Sequence, residues 1–266
     1  MQALNPSAYT RIKFARHGRI LHVALANPAK MNAVDGAMHR ELAQVFKDIA
    51  HDKESEVIVL SGDGAAFCAG GDIDWMRKSA AGEEEGPGMD EGKAIIFSLL
   101  ELEKPIIAKV RGPAIGLGAT LALFCDVIFA ADTARFADPH VKVGIVAGDG
   151  GTVIWPALVG FARAKEYLMT GDPLTGVEAE RIGLINHVVP DAELDARVNA
   201  FAEKLAKGAT LAIRYTKVGV NLELKRLAHS LLDAAMAYEM TTFNTKDHAE
   251  AVSAFLEKRK PNFTGK

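Results

Sequence analysis

Phe67-Cys68-Ala69-Gly70-Gly71-Asp72-Ile73 and, further on, Gly112-Pro113-Ala114-Ile115-Gly116-Leu117-Gly118 are the stretches whose reading decides the fold. Each is a glycine-rich turn that follows a short apolar run, Glu56 to Ser61 in one case and Ile106 to Val110 in the other. Glycine takes backbone dihedrals that other residues resist, and it lets a ligand come close to the main chain. Two such turns can therefore aim backbone N–H groups into one pocket. Two N–H donors converging on one carbonyl oxygen make an oxyanion hole, which favours charge developing on that oxygen. The pattern points to carbonyl chemistry on an α/β scaffold.

Working outward, residues 9–15 and 19–25 read as two strands joined at His17-Gly18. Asp35 is placed to cap a helix running to about residue 50, with Met38, Leu42, Val45, Phe46 and Ile49 on one face. Short apolar strands are expected at 56–61, 106–110 and 127–131, with helices at 72–79 and 91–103 and another from the 112–118 turn to about 124. Ala81 to Met89 is polar and rich in glycine and acids, and reads as a mobile surface loop over the pocket. From about 151 the chain reads as nearly all helical, with segments at 151–159, 161–169, 175–182, 191–206, 210–218 and 228–258. Strands that are apolar on both faces imply a core sheet covered by helices.

Bulk properties exclude several classes. The chain has 266 residues, 49% of them apolar, and a net charge of −3, so no global field favours nucleic acid or an anionic membrane. No cluster of Lys and Arg interleaved with aromatics suggests RNA binding. The two cysteines, Cys68 and Cys125, have no metal-ligand spacing and suit a reducing compartment rather than a disulfide framework. The longest apolar run, Ala119 to Ala131, is broken by Asp126 and falls short of a membrane span. The basic, acid-free first 34 residues look superficially like a transit segment, but they contain the first two strands. A cytoplasmic location is expected. No dinucleotide fingerprint, P-loop, metal cluster or Ser-His-Asp arrangement is recognisable.

The chain resembles the crotonase superfamily, the enoyl-CoA hydratase/isomerase family. Besides the two turns, the likeness rests on Asn27-Pro28-Ala29-Lys30-Met31-Asn32-Ala33, Lys104-Pro105-Ile106-Ile107-Ala108, Cys125-Asp126, Gly150-Gly151 and Thr170-Gly171-Asp172. Residues 179–185 and 254–260 extend it through the chain. The resemblance implies an α/β fold, a crotonase-like spiral of ββα repeats with a C-terminal helical region. It divides the chain into a spiral core holding the CoA and acyl site (1–200) and a helical trimerisation region (201–266). It also implies homotrimers or hexamers, a dimer of trimers, and an acyl-CoA thioester substrate. No separate cofactor is implied, because coenzyme A enters as part of the substrate.

By matched position the oxyanion hole would be the amides of Gly71 and Leu117, with a side chain at 117 where many relatives have none. Coenzyme A would lie across Lys30, Ala69 and Asp72, with Phe255 and Lys258 reaching its nucleotide end. The family's hydratases use two glutamates, and the matching positions here carry Thr120 and His140. Hydration needs one group to take a proton from water and another to deliver one to carbon, so the chain does not read as a standard hydratase.

Asp149, just before Gly150-Gly151-Thr152, offers a replacement base. A single carboxylate suffices for double-bond migration, removing a proton at one carbon and returning it two carbons away. Asp149 is equally well placed to cap the next helix, a role that would lower its pKa and weaken it as a base. His140 could act as a base, orient water or pair with Asp149, and Thr120 suits a hydrogen bond in the pocket. The other histidines, His39, His51, His187, His229 and His248, read as surface. Isomerisation of an enoyl-CoA is the leading expectation. The alternatives are hydration by a rearranged acid/base pair, hydrolysis of a CoA ester or β-diketone by His140 and Asp149, and a catalytically silent CoA binder.

Overall fold

The computed structural model describes residues 4–266. β1 (Ile12–His17) and β2 (Ile20–Leu25) form the expected antiparallel hairpin. α1 (Gly36–His51) follows, capped by Asp35, whose side chain accepts from the Met38 amide. Its five expected apolar residues are all fully buried. Next come β3 (Val57–Gly62), α2 (Ile73–Ala80), α3 (Met89–Glu101) and β4 (Ile106–Val110). Then follow β5 (Pro113–Ile115), α4 (Leu117–Leu123), β6 (Val127–Ala131) and β7 (Arg135–Ala137). The remainder is α5 (Gly151–Thr170), β8 (Leu174–Thr175), α6 (Gly176–Arg181), β9 (His187–Val189), α7 (Leu194–Ala206), α8 (Thr210–Phe243) and α9 (Lys246–Leu256).

The main sheet has the order β1-β2-β3-β4-β6-β9, parallel from β2 onward. A second sheet runs β5-β7-β8, and two isolated bridges, Val34 with Gly71 and Cys68 with Ala114, join extended segments beside it. The chain therefore winds as a spiral, each turn adding one strand to the first wall and a short extended piece to the second. Parallel strands covered on both sides must be apolar on both sides, and β3 shows how. Ile58 and Leu60 enter the core that holds α1, whereas Val57 and Val59 join Ile107, Phe129 and the α7 residues Leu194, Val198 and Ala202 on the opposite face. Burying each such side chain is worth about 1.5–3 kcal/mol.

Two expectations need correcting. The stretch after 150 is not all helix: β8 and β9 are there, and β9 pairs with β6 to extend the main sheet. They are only two and three residues long, too short for a period-2 pattern to register. The helix break expected between 218 and 228 is absent. α8 runs unbroken for 34 residues through Gly219 and stops at Asn244, where Thr245 caps α9 by accepting from the His248 amide. The helices expected at 151–159 and 161–169 are both present within α5, the backbone leaving the helix between them at Gly160 (φ 78, ψ 162). The sequence left open whether the C-terminal helices fold onto their own domain; α9 packs on α2 and on the 3-10 turn His140–Val143 of its own chain.

Candidate active site

The two glycine turns lie against each other. The Cys68 amide donates to the Pro113 carbonyl at 2.9 Å, and the Ile115 amide donates to the Cys68 carbonyl at 2.9 Å. Gly116, at φ 54 and ψ −124, turns the chain from β5 into α4 in a region open to glycine. Gly118 makes the close approach possible, since a Cβ there would sit 2.6 Å from Cys68 Cβ and 2.7 Å from its carbonyl oxygen. The amides of Gly71 and Leu117 are thereby brought to one cavity of about 500 Å³ whose wall includes both residues. Leu117 is the first residue of α4, where an N–H has no partner within its own helix. Among the described residues neither amide donates to a backbone acceptor.

On the far side of these turns stands a group of ionisable side chains. His140 opens a 3-10 turn after Pro139, so its ring folds back onto the end of β7. Its Nδ1 is hydrogen-bonded to the Asp138 carboxylate, and Asp138 is itself buried. Its Nε2 lies 3.5 Å from Asp149 Oδ2. Asp149 is not the cap of α5. Gly150 holds that position with no side-chain capping bond, and the Asp149 carboxylate is in the cavity wall. The Thr120 hydroxyl donates to Asp149 Oδ1 at 3.3 Å from a fully buried position behind it. One donor atom from each of Asp138, His140 and Asp149 lies within 4.8 Å of the others, a spacing that a shared proton or a cation can span.

Burial works against a charged His140, but the carboxylates of Asp138 and Asp149 outweigh it, and its pKa stands well above the ordinary value. The two carboxylates thus favour the protonated ring, the form that donates rather than accepts a proton. Burial raises the Asp149 carboxyl above the usual range, partly offset by the His140 cation, the Thr120 hydroxyl and the Gly151 amide. A carboxylate raised by burial is a stronger base when ionised.

The expected coenzyme residues are more dispersed. Ala69 and Phe255 line the cavity. Lys30 stands outside the wall, bonded to Asp72 at 2.5 Å and Asp74 at 3.2 Å. Asp72 is buried and caps α2, accepting from the amides of Asp74 and Trp75. Lys258 is exposed just past α9, whereas its neighbour Arg259 reaches the cavity wall. Trp75, Met76 and Leu117 bound the pocket. Trp155 does not: it is fully buried in the core, tilted against Tyr167. The 81–88 loop is tied down, because Trp75 Nε1 donates to the Glu85 carbonyl and Pro87 joins the wall.

Two histidines read as surface are buried. His39 lines the cavity with Nδ1 2.7 Å from Glu91, and His248 anchors α9 by a 2.7 Å bond to the Val143 carbonyl. His39 follows Met38 and precedes Leu42 by three, which puts it at the border of the buried face of α1. Glu239, on α8, escaped the sequence reading altogether, yet it stands in the cavity wall with Asp149 and His140. Its signal was present: Leu232, Ala235 and Met236 form a buried stripe, and 239 continues it at helical spacing with an acid.

The enoyl-CoA hydratase/isomerase family model matches residues 15–266. Crotonyl-CoA hydratase of Syntrophomonas wolfei is 36% identical over 265 residues, covering 97% of this chain and 100% of that one. The 1,2-epoxyphenylacetyl-CoA isomerase of Escherichia coli is 33% identical over 250 residues, covering 93% and 95% respectively. The crystal structure of an enoyl-CoA hydratase/isomerase from Mycobacterium paratuberculosis superposes with a TM-score of 0.87 at 33% identity, over 92% of this chain and 98% of that one. A spiral of this topology, two laced turns at its cavity and a match running through almost the whole chain make this protein a member of the enoyl-CoA hydratase/isomerase family, within the crotonase superfamily.

Proposed function

We propose that the protein moves the double bond of an enoyl-CoA thioester. The Gly71 and Leu117 amides hold the thioester oxygen, and Asp149 removes a proton from the carbon beside the carbonyl. The resulting dienolate carries its charge on the oxygen, where two preorganised donors stabilise it more than they stabilise the neutral ground state. A proton is then delivered two carbons further along the chain. The observation that carries this reading is the pairing at Asp149: its carboxylate is in the cavity wall, 3.5 Å from a His140 ring whose positive charge two carboxylates favour against the cost of burial. The site thus has an ionised base with a counterion, and neither family glutamate. An isomerase among the relatives, acting on 1,2-epoxyphenylacetyl-CoA, is in keeping with it. Large apolar side chains exposed on α5 and α8, among them Phe161, Met169, Tyr215 and Val220, support assembly into the trimer or hexamer usual for the family.

The test is turnover on matched 2-enoyl-CoA and 3-enoyl-CoA thioesters, with products followed by proton NMR. Interconversion of the two without net addition of water is the expected result. A 3-hydroxyacyl-CoA as sole product would assign hydration instead, free CoA would assign hydrolysis, and tight binding without turnover would mark a silent binder.

A further inference from the structure

The family's two glutamates are absent, yet the cavity contains a carboxyl group that arrives from outside the spiral. Glu239 belongs to α8, far along the chain from the turns and from Asp149. Its approach is built into the backbone. Gly148, immediately before Asp149, lies so close to α8 that a Cβ there would sit 2.4 Å from the Ala235 carbonyl oxygen, 2.7 Å from Glu239 Cβ and 2.8 Å from Glu239 Oε2. The chain segment carrying Asp149 is therefore seated directly on the Glu239 side chain, and both carboxyl groups open into the same cavity.

The charges around Glu239 decide its state. Asp138, His140 and Asp149 face it from the spiral. The other basic groups of the cavity wall have their own partners: Lys142 holds Asp172 at 3.0 Å, Arg259 holds Glu250 at 2.8 Å, and His39 holds Glu91. Three buried or half-buried carboxyl groups thus crowd one histidine ring, and like charges so placed do not all ionise. Burial pushes Glu239 up first, and the Asp149 charge adds to it, raising the group to about 8. Glu239 enters the reaction as the neutral acid while Asp149, next to His140, is the ionised base.

Resting on the isomerase reading above, we propose that Glu239 is the second proton-transfer group of this site, delivering the proton to the distal carbon that Asp149 does not supply. The step balances. The C–H bond beside the thioester carbonyl breaks and its proton goes to Asp149. The dienolate then takes the Glu239 proton at the carbon two positions away, leaving Glu239 ionised. Transfer of the proton from Asp149 back to Glu239 through water restores the enzyme.

Isomerisation of a 3-enoyl-CoA in deuterium oxide at pH 7 tests this. The parent is expected to place a solvent-derived deuteron at the distal carbon, because the donor there is an exchangeable carboxylic acid and not the group that took the first proton. Glu239→Gln, which keeps the shape but cannot release a proton, is expected to isomerise about 10²-fold or more slowly while still exchanging the proton beside the carbonyl for deuterium. Glu239→Asp should recover part of the rate. Migration of the original proton to the distal carbon in the parent, or a full isomerisation rate in Glu239→Gln, would overturn the proposal and leave Asp149 as the sole base. Loss of exchange together with turnover in a Glu239→Gln protein of unchanged thermal stability would reduce Glu239 to a positioning residue. Carbon-13 NMR of the substrate-free protein gives an independent arm. Glu239 should remain a carboxylic acid at pH 6.5 and titrate near 8, and an ionised Glu239 at pH 6.5 overturns the assignment. A parent that isomerises no enoyl-CoA sinks the isomerase reading first, whatever the protonation of Glu239.

Discussion

The two ends of the cavity are made in opposite ways. At the carbonyl end, two backbone amides come from two turns of the spiral, each turn lying within seven residues of sequence and hydrogen-bonded to the other through Cys68, Pro113 and Ile115. At the carboxyl end, side chains of Asp138, His140, Asp149 and Glu239 come from the end of β7, a 3-10 turn, the approach to α5 and the last turns of α8. The first end is a property of the fold, because any sequence that makes these turns presents the same N–H groups. The second can be exchanged residue by residue without moving the sheet. That division lets the side-chain chemistry of one scaffold vary while its turns stay in place.

The largest effect should come from breaking the carboxyl end alone. Asp149→Asn removes the base while keeping its shape, and we expect kcat to fall about 10³-fold with the dissociation constant for an acyl-CoA little changed, as measured by steady-state kinetics and calorimetry. A protein that keeps its rate would mean the carboxyl cluster is structural. The carbonyl end is broken by Gly118→Val, which drives a side chain into Cys68 and separates the turns. We expect kcat to fall about 10²-fold, the usual cost of weakening an oxyanion donor, with about 1–3 kcal/mol of stability lost to overpacking, read from urea unfolding. If only stability falls, the turns position the fold and not the oxygen.

Finer changes sharpen the contrast. Asp138→Asn removes the larger of the two carboxylate charges that favour protonated His140, so burial, opposed by Asp149 but no longer by Asp138, should bring the ring's pKa down. The acid form of His140 exists below its pKa. Its loss should therefore set in at lower pH in the variant than in the parent, costing about tenfold in rate at pH 8 and little at pH 6. The checks are a pH–rate profile and NMR titration of the ring. The smallest effect is expected from Thr120→Val, which removes a 3.3 Å hydrogen bond to Asp149. About 1 kcal/mol, or roughly fivefold in rate, is the scale of one such bond. A much larger loss would place Thr120 among the reacting groups.

Legibility follows the same division. Strands β3, β4 and β6 and the capped start of α1 were readable because each rests on a local pattern: an apolar run bounded by turns, or an aspartate three residues before the amide it accepts from. Both glycine turns were readable for the same reason. Asp149 was readable as a candidate but not its choice between cap and cavity, since both roles suit an acid before Gly-Gly-Thr. His39 and His248 were misread because a histidine at the border of a helix face carries no signal of what packs over it.

The sequence by itself determined the spiral, the two glycine turns and the family, since backbone geometry and apolar periodicity are written in neighbouring residues. Only the tertiary structure decided that His140 bridges Asp138 and Asp149, that α9 folds over its own site, and that α8 brings Glu239 beside Asp149. Those contacts join segments as far apart in sequence as α2 and α9, and the charge state of each group depends on its distance to the others and on the exclusion of water. Neither quantity exists until the chain has closed on itself.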